Sequence, residues 1–211
     1  MFSELVLASN NKGKAKELFR ILEPLNINVI SQSEFDVPDV IEDGLTFVEN
    51  AIKKARNAAY HTGKAAIADD SGIEVDALNG APGIYSARFA GEGATDEENN
   101  IKLLHDLKDV PEEKRTARFQ CVMVLMRHHE DPTPIICQGT WEGQIMFEER
   151  GENGFGYDPL FLVPSRQLAS AELAPELKNL ISHRAQACRK LIEMLDPGRI
   201  QDGDEVMQDL Y

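Results

Sequence analysis

Five short stretches carry side chains suited to work on a phosphate anhydride. SNNKGK, residues 9–14, sets one glycine and two lysines between the apolar run LVLA and the segment AKELFRIL. A strand that ends in such a turn and opens a helix presents free backbone N–H groups and the positive end of the helix dipole, which suits an anion. It is not the common phosphate loop G-x-x-x-x-G-K-[ST], because Ser9 stands at the first glycine and Ala15 at the Ser/Thr. AIADDSG, residues 66–72, puts Asp69 and Asp70 at the end of an apolar strand before a Ser-Gly turn. Acids there hold metals or act as bases in open α/β sheets, or cap backbone N–H groups in an Asx turn. Strand alternation lets only one of the pair face a given site. Glu42 and Asp43 in IEDGLTF could join either acid in holding Mg²⁺, which takes one or two protein carboxylates with substrate oxygens and waters. GENGFGYDP, residues 151–159, either brings backbone, Phe155 and Tyr157 against a flat ligand or plugs the edge of a core. Lys178, His183 and Arg184 close the set.

These residues need elements to hold them. Residues 4–8 and 65–69 read as short buried strands, and 116–127 with 134–140 as a hairpin joined by the turn-rich HHEDPT. Helices are expected at 13–23, 46–62, 95–108 and 176–195, the second opened by a Thr46/Glu49 capping box. Strands and helices alternate early and strands pair later, which predicts an α/β protein with a mixed sheet. Within 46–62, Ala51, Ile52, Ala55, Ala58 and Ala59 form a packing side, while Asn50, Lys54, Asn57 and His61 form a polar stripe. Lys53 is placed to pair with Glu49 at i,i+4; Lys54 has no such acid and is free for a ligand or for water.

At 211 residues and 42% hydrophobic content the chain fits one domain, with the acidic, Gly- and Pro-bearing segment 196–211 read as a tail. No run approaches the roughly 18 apolar residues of a membrane span. The opening MFSELVLASNNKGK lacks a charged leader and cleavage site. A cytosolic protein without a membrane partner is the expectation. Cys121, Cys137 and Cys188 lie far apart without a C-x-x-C pair, so they read as reduced core residues. The net charge of −14 excludes a general nucleic-acid binder. Against it stand three basic islands: Lys12, Lys14, Lys16 and Arg20; Lys53, Lys54 and Arg56; and Lys178, His183, Arg184, Arg189 and Lys190. Either they converge on one polyanion or each is a solvated helix face.

The ordered series SNNKGK, GLTFVENAIKKA, IADDSGIEVDALNGAPGIYSARFAG, GTWEGQI, GFGYDPLF and KNLISHRAQA resembles the inosine/xanthosine triphosphate pyrophosphatases, from about residue 5 to 195. The resemblance implies an elongated, two-lobed α/β fold around a long mixed β-sheet flanked by helices, one pyrophosphatase domain over 1–195, and a homodimer with residues 95–140 as a possible contact region. It implies Mg²⁺-dependent conversion of ITP, dITP or XTP to the monophosphate and pyrophosphate. By motif, Ser9, Asn10, Asn11, Lys12, Gly13 and Lys14 would take the triphosphate, joined by Lys54. Glu42, Asp69 and Asp70 would hold the metal, with Asp70 also the general base and Ser71 against the substrate. Phe155, Gly156, Tyr157 and Asp158 would flank base and sugar, and Lys178, His183 and Arg184 would complete the pocket. Two departures are Leu177, where an acid is usual before the matched lysine, and Ala171, where an aromatic is common. The competing readings are a pyrophosphatase for other modified nucleotides and a sensor that binds a triphosphate without cleaving it.

Overall fold

Seven strands form a single mixed sheet in the order β2-β1-β3-β4-β5-β6-β7. They are β1 (Glu4–Leu7), β2 (Asn28–Ser31), β3 (Ala66–Val75), β4 (Thr116–Met126), β5 (Ile135–Ile145), β6 (Phe161–Val163) and β7 (Leu168–Ala169). Strand β1 pairs in parallel with β2 and β3, and every later pairing is antiparallel. This computed structural model describes residues 3–23 and 27–195; the expected acidic tail lies outside the described residues.

The helices are α1 (Lys12–Leu22), α2 (Phe47–Thr62), α3 (Asp96–Asp106), α4 (Pro175–Ile181) and α5 (His183–Leu195). Helices α1 and α5 cover one face of the sheet, burying Leu18, Leu22 and Leu191 against Leu5, Leu7, Ile67 and Met123. A buried leucine of this kind contributes about 1.5–3 kcal/mol. On the opposite face α2 packs its predicted alanine side against Val6, Ala66, Ala68, Val122 and Val124. A third cluster lies toward the other end of the sheet, where Leu103 and Leu107 meet Ile73, Phe119, Trp141 and Phe161. The buried core thus falls into three clusters along one sheet. Cys121, Cys137 and Cys188 are free and buried, and burial pushes the Cys121 thiol up to about 12.

Three expectations change, and three strands were not expected at all. The Ser71-Gly72 step is no turn, because β3 continues through it to Val75. Gly72 serves close approach instead: a Cβ there would sit 2.4 Å from the Gly83 carbonyl oxygen and 2.5 Å from Ser86 Oγ. The helix expected over 176–195 is two helices, broken where extended Ser182 (ψ 162°) caps α5 by accepting from Ala185 N at 3.2 Å. Lys53 pairs with Asp43, since the Glu49 carboxylate is consumed at the helix start by Leu45 N and Thr46 Oγ1. Strands β2, β6 and β7, at four, three and two residues, are too short to carry a readable period.

Candidate active site

The end of β1, the middle of β3, the first turn of α1, the polar stripe of α2, the 155–158 loop and the α4–α5 junction open on one cleft of about 500 Å³. That volume suits a small-molecule site. Each basic island sends only its inward members here. Lys14, Lys54, Lys178, His183 and Arg184 line the cleft, whereas Lys12, Lys16 and Arg20 are exposed. Arg56 is exposed as well and donates to the His129 carbonyl at 3.1 Å.

The opening loop is fixed from several sides. Asn11 caps α1 by accepting from Lys14 N at 2.9 Å, and Asn10 is held by Gln32, which donates at 2.8 Å, and by Asp39. Ser9, Asn10, Asn11 and Lys14 line the cleft; Lys12 and Gly13 are not among the lining residues. Gly13 acts through packing, because a Cβ on it would lie 2.8 Å from Phe155 Cδ1. The two loops singled out in the sequence therefore touch.

Asp69 and Asp70 do point to opposite faces. Asp70 turns to α2, where Lys54 Nζ donates to Oδ1 at 2.8 Å and Asn50 Nδ2 to Oδ2 at 3.4 Å. Glu42 also reaches Lys54 Nζ, at 3.0 Å. Burial raises the Asp70 pKa, and Lys54 and Lys14 only partly oppose it. Burial works against the Lys54 charge too, yet Asp70, Asp69 and Glu42 outweigh it and lift its pKa. Asp69 is 1% exposed and turns to α5. It meets Arg184 Nη2 at 3.2 Å and Lys14 Nζ at 3.6 Å. Despite full burial, Lys14, Arg184 and Lys54 hold it well below the usual carboxylate range.

Glu17, one turn into α1, was not singled out in the sequence and proves to be a hub. It accepts from Lys178 Nζ at 2.9 Å and from Arg184 Nη1. Burial opposes its ionisation, but Arg184 and Lys178 dominate and lower its pKa. Asp158 accepts from Lys178 at 2.6 Å, from Ser170 Oγ at 2.7 Å and from Phe155 N at 2.9 Å. Lys178 and Arg184 lie 5.3 and 5.8 Å from the centre of the Phe155 ring. Arg184 Nη2 also donates to Ser71 Oγ at 2.9 Å. Of five guanidinium N–H groups, four are thus engaged within the protein.

His183 stacks on Phe119 with centroids 4.8 Å apart. Burial first, then Arg184 and Lys178, pushes its pKa well below the ordinary value, so the imidazole is neutral. Its position depends on β5: a Cβ at Gly139 would lie 2.0 Å from the His183 carbonyl oxygen, so glycine lets α5 rest directly on the strand. Tyr157 donates through its hydroxyl to the Ser86 carbonyl at 2.7 Å, and burial raises its pKa.

The profile of the Ham1 family matches residues 5–194.

The chain belongs to the Ham1 family.

It is similar to the dITP/XTP pyrophosphatase of Photobacterium profundum, 58% identical over 193 residues, which are 92% of this chain and 98% of that protein. Among solved structures it resembles a HAM1 protein from Coxiella burnetii, with a TM-score of 0.86, 52% identity and coverage of 94% of this chain and 100% of the other. The Staphylococcus aureus Ham1 protein superposes with a TM-score of 0.82 at 45% identity, covering 93% of this chain and 100% of that one. The two departures noted in the sequence do not sit on the rim of this Ham1 chain. Leu177 packs into the third core cluster, and the acids that meet Lys178 come from Glu17 and Asp158. Ala171 is fully buried and accepts from Asn153 N at 3.0 Å, close beneath Gly151.

Proposed function

We propose that this Ham1 protein hydrolyses non-standard purine nucleoside triphosphates, ITP, dITP and XTP, to the monophosphate and pyrophosphate. The observation that carries this reading is the convergence of Lys14 and Lys54 on the phosphate end of the cleft with Asp70 between Lys54 and Asn50. A carboxylate with a raised pKa beside fixed cations is the arrangement of a general base, worth about 10²–10⁴ in rate. The printed names of the curated relatives support the substrate class.

Glu42 and Asp70 are the proposed ligands of Mg²⁺. Both already converge on one cation, the Lys54 ammonium. Among the described residues no cluster of three His, Cys, Asp or Glu side chains could cage a metal. A two-carboxylate set fits an ion that completes its shell with phosphate oxygens and water. When bound, the ion would neutralise the substrate phosphates and the leaving pyrophosphate. Asp69, counted with the metal ligands in the sequence reading, pairs with Arg184 and Lys14, whereas Glu42 pairs with Lys54 beside Asp70, and we take Asp69 as counter-charge to those two cations.

Asp70 takes the proton of the attacking water, while Lys14 and Lys54 stabilise negative charge from fixed positions. Ser9, Asn10 and Asn11 present polar groups to the triphosphate beside Lys12 and Gly13. Phe155 offers a flat face, and Gly156, Tyr157 and Asp158 complete the base side with Lys178, His183 and Arg184. Arg184 has one N–H left to give, and Lys178 a third; both can only donate, which suits an acceptor such as the 6-oxo group of hypoxanthine. Ser71 orients Arg184.

We place the protein in the cytoplasm, acting as a homodimer; among the described residues no helix is long and apolar enough to cross a membrane. Ile101 and Ile136, exposed within 95–140, suit a subunit contact. Incubation with ITP tests the activity: inosine monophosphate and pyrophosphate should form in equal amounts. Inosine diphosphate with orthophosphate would reject it.

A further inference from the structure

Helix α3 grips both walls of the base side of the cleft through Asp96 and Asn99, which line it, and Asn100, which lies outside the lining; none of the three has a part in the chemistry proposed above. Asp96 Oδ2 accepts from Gly156 N at 2.6 Å, and Asn100 Nδ2 donates to the Gly156 carbonyl at 3.2 Å. Positions 96 and 100 are one helical turn apart, so one face of α3 holds both backbone groups of a single loop residue. Gly156 has φ 62°, in the left-handed region that other residues adopt at a cost, and it has no side chain to anchor it. It lies between Phe155, which packs over Gly13, and Tyr157, which bonds to Ser86. The neighbouring Asn99 holds the facing wall: Oδ1 accepts from Ala90 N at 2.8 Å and Nδ2 donates to the Ala87 carbonyl at 3.3 Å.

Asn99 and Asn100 are each 3% exposed, and Asn100 Oδ1 has no partner among the described residues. A buried unpaired acceptor is a standing cost to the fold, and an apolar side chain of similar size would avoid it. Such costs collect where a local rule is broken for function. The one bond that Asn100 does make is to the loop.

We infer that Asp96 and Asn100 are positioning residues for the base-recognition loop, fixing Phe155 and Asp158 through Gly156 and so setting nucleotide affinity and base discrimination without touching the reacting atoms. The inference takes its ligand, a 6-oxo purine nucleotide, from the proposed function; the clamp itself stands on geometry.

The test compares Asp96→Ala and Asn100→Ala with Thr95→Val in the full-length protein. Thr95 caps α3 by accepting from Glu98 N at 3.2 Å and does not reach the loop, so its loss weakens the helix alone. The two clamp variants should raise KM for ITP by about tenfold, the scale of one lost hydrogen bond, with kcat changed less than about threefold and the ITP-over-ATP preference reduced. Asp96→Asn keeps an acceptor oxygen and should recover most of the affinity. Hydrogen exchange of the peptide over residues 150–158 should quicken in Asp96→Ala and Asn100→Ala, and not in Thr95→Val. Unchanged KM and loop exchange in both clamp variants, or equal changes in Thr95→Val, overturns the inference. If the wild-type protein releases no pyrophosphate from ITP, the proposed function fails, and loop exchange alone then decides the clamp.

Discussion

Lys54 Nζ lies 2.8 Å from Asp70 Oδ1, with only 14% and 9% of the two side chains exposed. The pair fixes the carboxylate while burial raises its pKa, so Asp70 is held in place and made more basic together. Asp70→Asn keeps the size and the Asn50 and Lys54 neighbours but removes the proposed proton acceptor. It should lower kcat by at least about a hundredfold with nucleotide binding retained. Steady-state kinetics beside calorimetric binding measures this, and near-normal turnover would move the base elsewhere.

Gly13 and Phe155 should behave as a coupled pair. An alanine at 13 would push on the Phe155 ring at 2.8 Å, and the ring must shift from its place beside Lys178 and Arg184. Gly13→Ala should therefore raise KM for ITP severalfold. In the double-mutant cycle with Phe155→Ala, the two effects should fall short of their sum by about 0.5–3 kcal/mol. Additive effects would mean that Gly13 matters for the phosphate loop alone.

The sequence shows the proposed reactive groups better than what holds them. Lys14, Lys54, Asp70 and the GFGYD loop stand in short motifs whose chemistry is local. Glu17 looks like any exposed acid on α1; its role comes from Lys178 and Arg184, more than 160 residues away in the chain. Asp96 and Asn100 pass for helix-start and helix-surface residues until Gly156 is placed beside them. The break between α4 and α5 had one local signal, the N-cap preference of Ser182, in a run with no glycine or proline. The alanine face of α2 and the long hairpin were legible because their periods extend over many residues.

Glu17→Ala should be the most destabilising loss of a charged side chain on α1. It removes two charge-assisted bonds and leaves Lys178 to Asp158 and Arg184 to Asp69. The expected cost is about 1.5–3 kcal/mol, against about 0.5 kcal/mol or less for exposed Lys16→Ala. Urea unfolding measures both, and equal midpoints would deny Glu17 its place as hub.

His183 should make stability depend on pH in a direction that can be worked out. Its folded pKa is depressed, so below the unfolded value of about 6.5 the unfolded chain binds a proton that the folded protein does not. Unfolding then takes up protons, and stability falls as pH drops from 7 toward 5. His183→Phe keeps a flat ring against Phe119 and should flatten the melting-temperature profile over that window. A profile with the wild-type slope would mean that His183 titrates normally.

Mg²⁺-dependent cleavage of non-standard 6-oxo purine triphosphates is measured by pyrophosphate release with ITP, XTP, dITP, GTP and ATP, in Mg²⁺ and in EDTA, for wild type and Arg184→Ala. The expected result is release from ITP, XTP and dITP far above ATP, by up to roughly 10⁴-fold where donors of the pocket meet the adenine amino group, and none in EDTA. Arg184→Ala should lose ITP turnover while the low ATP rate barely moves. Equal rates on ITP and ATP in the wild type, or release that persists in EDTA, would rule out this substrate choice or this metal requirement respectively.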